Sequence, residues 1–162
     1  MDYLWTPWRY QYIEQAIQGR QPECIFCDAA ARKDDEETLV VYRGKDVFAI
    51  LNRYPYTSGH TMVVPYAHVA ELGACKPEAL SEMMALAKRI EAAFHANYKP
   101  DGMNLGMNLG KAAGAGIAGH LHLHALPRWF GDTNFMTVVG ETRVHPEELK
   151  TTYTRMKQAL AA

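Results

Sequence analysis

Residues 120–124 read His-Leu-His-Leu-His, and Pro127-Arg128-Trp129 follows closely. Side chains in a strand alternate between faces. The spacing therefore predicts His120, His122 and His124 on one face, with Leu121 and Leu123 on the other. The leucines can enter a core while three imidazoles stand in a row opposite it. Imidazole titrates near neutral pH and serves as base, nucleophile or metal ligand. A neutral imidazole can attack an α-phosphate and carry the nucleotidyl group as a phosphoramidate, dividing one hard displacement into two easier ones. A neighbouring imidazole can stabilise the phosphoryl oxygens, and such chemistry requires no divalent ion. Three clustered rings cannot all be charged cheaply, so their titrations must be coupled. His122, with a histidine on either side, is the nucleophile by position.

The segment before the triad, Leu109-Gly-Lys-Ala-Ala-Gly-Ala-Gly-Ile-Ala-Gly119, carries almost no side chains. Glycine permits positive φ and close approach of the main chain to a ligand. Successive backbone N–H groups can then form an anion-binding concavity. No Gly-Lys-Ser/Thr ending is present, so this is not a Walker-type loop. Lys111 is its one charged residue and the side-chain candidate for a polyphosphate contact. A second pattern, Cys24-Ile-Phe-Cys27, has a spacing shared by zinc sites and redox motifs, and half-buried thiols are the plain alternative. Zinc prefers four ligands, and His68 and His120 are available partners.

The elements that must position these groups follow from periodicity and punctuation. The 162 residues suit a single domain, and 48% hydrophobic against 22% charged residues excludes a disordered chain. A net charge of -1 excludes a general footprint for long nucleic acid. Residues 1–5 lack a basic start leading into an apolar run, so no secretory signal is expected. No stretch approaches the ~20 apolar residues of a membrane span. Three cysteines do not suggest a disulfide framework and point to a reducing cytoplasm. A helix is expected from Trp8 to Gly19, within an aromatic N-terminal cluster that includes Trp5. Asp34–Glu37 reads as a solvated turn. Strands are expected at Leu39–Arg43, Val47–Leu51 and His60–Pro65, with Gly44–Asp46 as a hairpin loop. Helical spacing of Leu80, Met83, Met84, Ala87, Ile90, Phe94 and Tyr98 predicts one long helix from Pro77 to Tyr98. Further strands at Met103–Asn108 and Gly119–Leu126 and a helix from Pro146 to Ala159 complete an α+β fold: an antiparallel sheet of about five strands with one long helix and terminal helices. His95 falls on the polar side of the long helix, and Cys75 reads as structural. Trp129 is a candidate cap for a nucleotide pocket or a dimer seam, with packing an equal alternative. Arg128 is a candidate charge for distal phosphates.

The triad segment, His120-Leu-His122-Leu-His124-Ala-Leu, resembles the histidine triad motif of a family that binds nucleotides and transfers or hydrolyses nucleotidyl groups. Leu51–His60, with its Asn52 and Gly59-His60, is similar to the family's earlier block, and the segment from Asn108 to the triad is similar to its phosphate-binding turn. Leu4–Arg9, Pro127–Trp129 and Asp132–Met136 resemble a bacterial branch that includes diadenosine tetraphosphate phosphorylases. The resemblance implies a single domain over residues 1–162, with extensions at 1–37 and 130–162 packed on it, and a homodimer formed through a continuous sheet. It implies His122 as the AMP-bearing nucleophile, His124 on the phosphate oxygens and His60 beside the catalytic pair, with His120 opening the triad. Asn52 would hold the ribose, Ile50 would lie in the base pocket, and Asn108 with the backbone at Gly116 would hold phosphate. The implied substrate is an adenine nucleotide or dinucleoside polyphosphate, with water or inorganic phosphate as acceptor. Phosphorolysis of diadenosine tetraphosphate to ADP and ATP is the specific reading. Relatives often carry Gln, Ser or Thr just before the triad, where this chain has Gly116 and Ile117, so backbone N–H groups or Lys111 must substitute. A likeness to zinc-bearing triad proteins and to the galactose-1-phosphate uridylyltransferase branch implies a structural zinc held by Cys24, Cys27, His68 and His120, and no organic cofactor.

Overall fold

The computed structural model describes residues 24–132 and 147–161. The expected helix from Trp8 to Gly19, the N-terminal aromatic cluster, residues 133–136 and Pro146 lie outside them. Helix α1 (Ile25–Ala31) and the one-turn helix α2 (Asp35–Thr38) precede strands β1 (Val40–Arg43), β2 (Val47–Leu51) and β3 (Thr61–Pro65). Helix α3 (Pro77–Tyr98), strand β4 (Gly102–Gly106), strand β5 (Leu123–Arg128) and helix α4 (Leu149–Ala161) follow. The strands form one antiparallel sheet in the order β1-β2-β3-β5-β4.

Helix α3 spans the residues its periodicity predicts. Pro77 opens it at a position where the missing N–H costs nothing, and Lys99 closes it in the left-handed region at φ 46°. Met83, Ala87, Ile90 and Phe94 recur at steps of three or four and are buried. Met84 is exposed, because one residue further turns the side chain about 100° away from that stripe. The acidic run is not simply a solvated turn. Asp34 caps α2 by accepting the Glu37 N–H at 3.1 Å, and Asp35 receives Arg43 at 2.9 Å and Lys157 at 2.8 Å. Burial opposes ionisation of Asp35, but the hydrogen bonds from Lys157 and Arg43 outweigh it and lower its pKa. Arg43 also donates to the carbonyls of Ala29, Ala30 and Arg32. It thus satisfies the open end of α1 and fastens that helix to β1.

The expected strand Gly119–Leu126 begins only at Leu123. Of the triad, only His124 lies in the ladder, and His120 and His122 precede it in irregular chain. The alternation that predicted one face for all three rings therefore holds by strand geometry for His124 alone. Between β4 and β5, residues 107–122 form the connection that carries the glycine-rich segment, with a 3-10 turn at Lys111–Ala113.

Gly59 shows why the turn before His60 has its sequence. It sits at φ +85°, and a Cβ there would lie 3.2 Å from Pro127 and 3.3 Å from Tyr98. Gly59→Ala should destabilise the protein by about 1–3 kcal/mol, read as a lowered urea midpoint. An unchanged midpoint would contradict this account of the turn.

Candidate active site

Four buried histidines meet at the N-terminal end of β5. His60, His120, His122 and His124 are 1%, 1%, 5% and 9% exposed. Their hydrogen bonds assign a proton to each neutral ring, because a carbonyl only accepts and a backbone N–H only donates.

His122 Nδ1 lies 2.8 Å from the carbonyl oxygen of His120. Nδ1 must therefore carry the proton, which leaves the Nε2 lone pair free. The Tyr56 N–H donates to His60 Nδ1 at 3.1 Å, so the His60 proton resides on Nε2. That nitrogen is 2.9 Å from His124 Nδ1 and donates to it. The His124 proton is thereby placed on Nε2. The His122 and His124 ring centroids are 4.8 Å apart. The pair offers one ring with a free Nε2 lone pair beside another with an N–H donor. This is the complement needed for attack on phosphorus and stabilisation of its oxygens.

Burial favours the neutral forms. It lowers the pKa of His122 against the opposing effect of its bond to the His120 carbonyl. Burial and then the His122 charge push His124 down to about 4. Burial also depresses His120.

Sheet register supplies a floor beside the imidazoles. Ile50 pairs with Met62, Met62 with His124, and His124 with Gly106. Directly paired residues project to the same face, so two apolar side chains, the imidazole and a bare glycine form one row. Asn52 leaves β2 at the edge of this row, and its side-chain oxygen accepts the Tyr54 N–H at 2.9 Å. Asn108 braces the glycine-rich turn by donating to the Gly114 carbonyl at 3.5 Å. Gly110 and Gly114 adopt positive φ there, and Lys111 and Gly116 are exposed on the same turn.

Two candidates are engaged in packing within the chain. The Trp129 indole donates to the Tyr98 carbonyl and lies edge-on to the Tyr98 ring, at the end of α3. Arg128 is held by Asp132 and Asn104. His95 is exposed, as its position on the helix predicts.

The second cluster is next door. His120 Nε2–H donates to the Pro65 carbonyl at 2.8 Å, which leaves the Nδ1 lone pair facing Cys24 Sγ at 3.2 Å and Cys27 Sγ at 3.7 Å. His68 Nδ1 is 3.3 Å from Cys27 Sγ. All four ligand atoms lie within 4.8 Å of one another. A tetrahedral zinc with two sulfur and two nitrogen ligands needs neighbours roughly 3.3–3.8 Å apart; the Cys24–His120, Cys27–His68 and Cys27–His120 pairs, at 3.2, 3.3 and 3.7 Å, fit such an ion, and the other pairs, within 4.8 Å, would close on it. The Pro65 carbonyl is the outer partner that a metal-bound imidazole normally has. Burial, followed by the hydrogen bond with Cys24, raises the Cys27 pKa, a cost that a bound cation would reverse.

Sequence reasoning missed Phe26, Tyr56 and Pro65. Phe26 is 1% exposed and lies against both His120 and His122, with centroids at 5.4 Å and 5.1 Å. Its placement inside the C-x-x-C pair was the available signal. The Tyr56 and Pro65 contributions are main-chain groups and carry no residue-type signal.

A HIT domain model matches residues 33–131. Over 154 residues the chain is 43% identical to an AP-4-A phosphorylase of Mycobacterium tuberculosis, covering 92% of this chain and 79% of that protein. A zinc-bound histidine triad family protein from Mycobacterium smegmatis superposes with a TM-score of 0.68 and 29% identity, covering 86% of this chain and 94% of the other. A hypothetical histidine triad nucleotide-binding protein from Sulfolobus tokodaii gives a TM-score of 0.67 and 27% identity, over 85% and 92% of the two chains.

The buried neutral rings have a consequence for stability. Unfolded histidines take up protons near pH 6.5, whereas the folded rings resist until lower pH. The contribution is complete above about pH 6.5 and is lost progressively as pH falls towards 4. His124 alone accounts for roughly 3 kcal/mol over that window. Urea midpoints should fall between pH 7 and pH 4.5, and His124→Gln should flatten the profile. Equal slopes for the two proteins would contradict the buried neutral ring.

Proposed function

The chain belongs to the histidine triad family, and from that premise we propose that it is an enzyme that transfers a nucleotidyl group through a covalent adduct on His122. The observation that carries this reading is the hydrogen bond from His122 Nδ1 to the His120 carbonyl, which leaves Nε2 unprotonated beside the His124 donor. The proposed reaction is phosphorolysis of diadenosine tetraphosphate, supported by the 43% identity to the mycobacterial phosphorylase.

In the first step His122 Nε2 attacks the α-phosphorus. A P–N bond forms, the bond from the α-phosphorus to the bridging oxygen breaks, and ATP leaves. The His124 N–H stabilises the oxygens on which charge accumulates. In the second step an oxygen of inorganic phosphate attacks the same phosphorus, the P–N bond breaks, and ADP is released. Both rings begin and end neutral. Ile50 and Met62 form the apolar floor for the base, and Asn52 meets the ribose. Asn108 and the backbone of the turn through Gly116 hold phosphate, and Lys111 meets the distal phosphates or the incoming phosphate ion.

Two structural features accompany this proposal. Cys24, Cys27, His68 and His120 would hold a structural zinc ion, which would tie α1 to the triad. Strand β4 lies at the edge of the sheet, with Asn104, Leu105 and Gly106 exposed, and an unpaired edge is a template for a second strand. A homodimer with a continuous sheet would cover it. Among the described residues no helix is long and apolar enough to cross a membrane.

Incubation with diadenosine tetraphosphate should yield ADP and ATP only when inorganic phosphate is present. AMP and ATP without phosphate would identify a hydrolase instead. Nucleotide binding with no products from this substrate or a nucleoside phosphoramidate would identify a binding protein. His122→Ala should lower turnover by roughly 10⁴-fold or more while AMP affinity changes little, and near-normal turnover in that variant rejects the nucleophile.

Elemental analysis of untagged protein should find about one zinc per chain, lost in Cys24→Ser. Less than half an equivalent, not restored by added zinc, would sink the metal proposal.

A further inference from the structure

Phe26 lies between the two cysteines of the second cluster and also touches the nucleophile. Cys24 is the N-cap residue of α1, and Phe26 and Cys27 lie in its first turn. One short stretch of backbone therefore presents two thiols to His120 Nδ1 and an aromatic wall to His122. The Phe26 ring is edge-on to His120 at 5.4 Å and tilted over His122 at 5.1 Å, and it is fully enclosed. His120 is the shared piece. Its ring faces the thiols and the Pro65 carbonyl, and its own carbonyl receives the His122 Nδ1 proton.

We propose that Phe26 is a positioning residue for His122, and that the Cys24–Cys27 segment transmits occupancy of the Cys24/Cys27/His68/His120 site to the nucleophile by holding Phe26 and the His120 carbonyl in register. The physical route has two arms. A metal ion bound through Nδ1 would, together with the Nε2–H bond to the Pro65 carbonyl, anchor the His120 side chain and so limit movement of the backbone that presents its carbonyl to His122. The same ion fixes the first turn of α1, which holds the Phe26 ring against the open side of the imidazole. With either arm released, the His122 ring can rotate away from the carbonyl, and the proton then has no reason to stay on Nδ1. Occupancy of the site would thus hold the His122 Nδ1–H bond to the His120 carbonyl in place, and with it the lone pair on Nε2. A wall that merely filled space would leave the tautomer unchanged when it is trimmed.

This inference rests on His122 being the nucleophile, but its test does not require turnover. Protein labelled with ¹⁵N-histidine reports which ring nitrogen bears the proton, and His122→Gln identifies the resonance. Zinc-loaded wild type should show His122 protonated on Nδ1 alone. Phe26→Ala, with folded structure by circular dichroism and full zinc content, should show a mixture of tautomers and form the AMP adduct about tenfold more slowly or worse. Phe26→Leu should recover most of both. Chelation of the wild type should produce the same mixed tautomers, reversed by adding zinc. A single Nδ1–H tautomer retained in either Phe26→Ala or the chelated protein would overturn the proposal. A Phe26→Ala variant that cannot fold passes the decision to Phe26→Leu and the chelated wild type, where unaltered tautomer and adduct rate overturn it equally. Failure of the zinc-loaded wild type to form any adduct would reject the nucleophile itself, while the tautomer comparison still decides whether the two sites are coupled.

Discussion

The His122 Nδ1–H bond to the His120 carbonyl is the constraint on which the site depends. It assigns the proton to one nitrogen and the lone pair to the other, and it does so with a main-chain acceptor that cannot itself titrate. The bond is available because β5 begins at Leu123. A carbonyl within the ladder would be committed to a neighbouring strand, whereas that of His120 is free to turn towards a side chain two residues on. The departure from regular strand at His120–His122 is thus what makes the alternating histidines chemically different from one another.

The second ring is fixed by an equivalent device run in series. The Tyr56 N–H orients His60, His60 orients His124, and the donor emerges at His124 Nε2. Both chains start at a backbone group and end at the same small volume. Their burial keeps the rings neutral, and the low local dielectric makes the remaining dipoles effective. The sheet contributes by register, placing Ile50, Met62, His124 and Gly106 in line, and α3 contributes by packing against β2, β3 and β5. His120 joins this centre to the thiol cluster, so one residue serves two sites through different atoms.

Legibility in the sequence varied with how local the cause was. Strand β2 and helix α3 coincide with their predicted bounds, because an apolar run after a tight loop and a stripe opened by proline are local signals. The expected strand from Gly119 differs from β5 because alternation of His and Leu looks like strand whether or not a neighbour pairs with it. Pairing with β3 starts only at Leu123, and no local signal reports that. The acidic run Asp34–Glu37 reads as solvated in isolation, but Arg43 and Lys157 reach Asp35 from β1 and α4. The C-x-x-C pair, His68 and His120 were assembled by resemblance, and the structure brings their ligand atoms together. Phe26 escaped notice because an apolar residue between two cysteines has no chemistry until its neighbours are known.

The sequence by itself determined which groups were present: the order of strands and long helix, three imidazoles at alternate positions, a nearly bare turn ahead of them, and two thiols at ligand spacing. These are consequences of local propensity and residue type. Only the tertiary structure decided what each group is. Three histidines identical in composition become a nucleophile candidate, a donor and a metal-ligand candidate, because each meets a different partner: a carbonyl, another imidazole, or a pair of sulfurs. Tautomer and burial are set by contacts between residues up to 96 positions apart in the chain. Such contacts exist only once the chain has closed on itself.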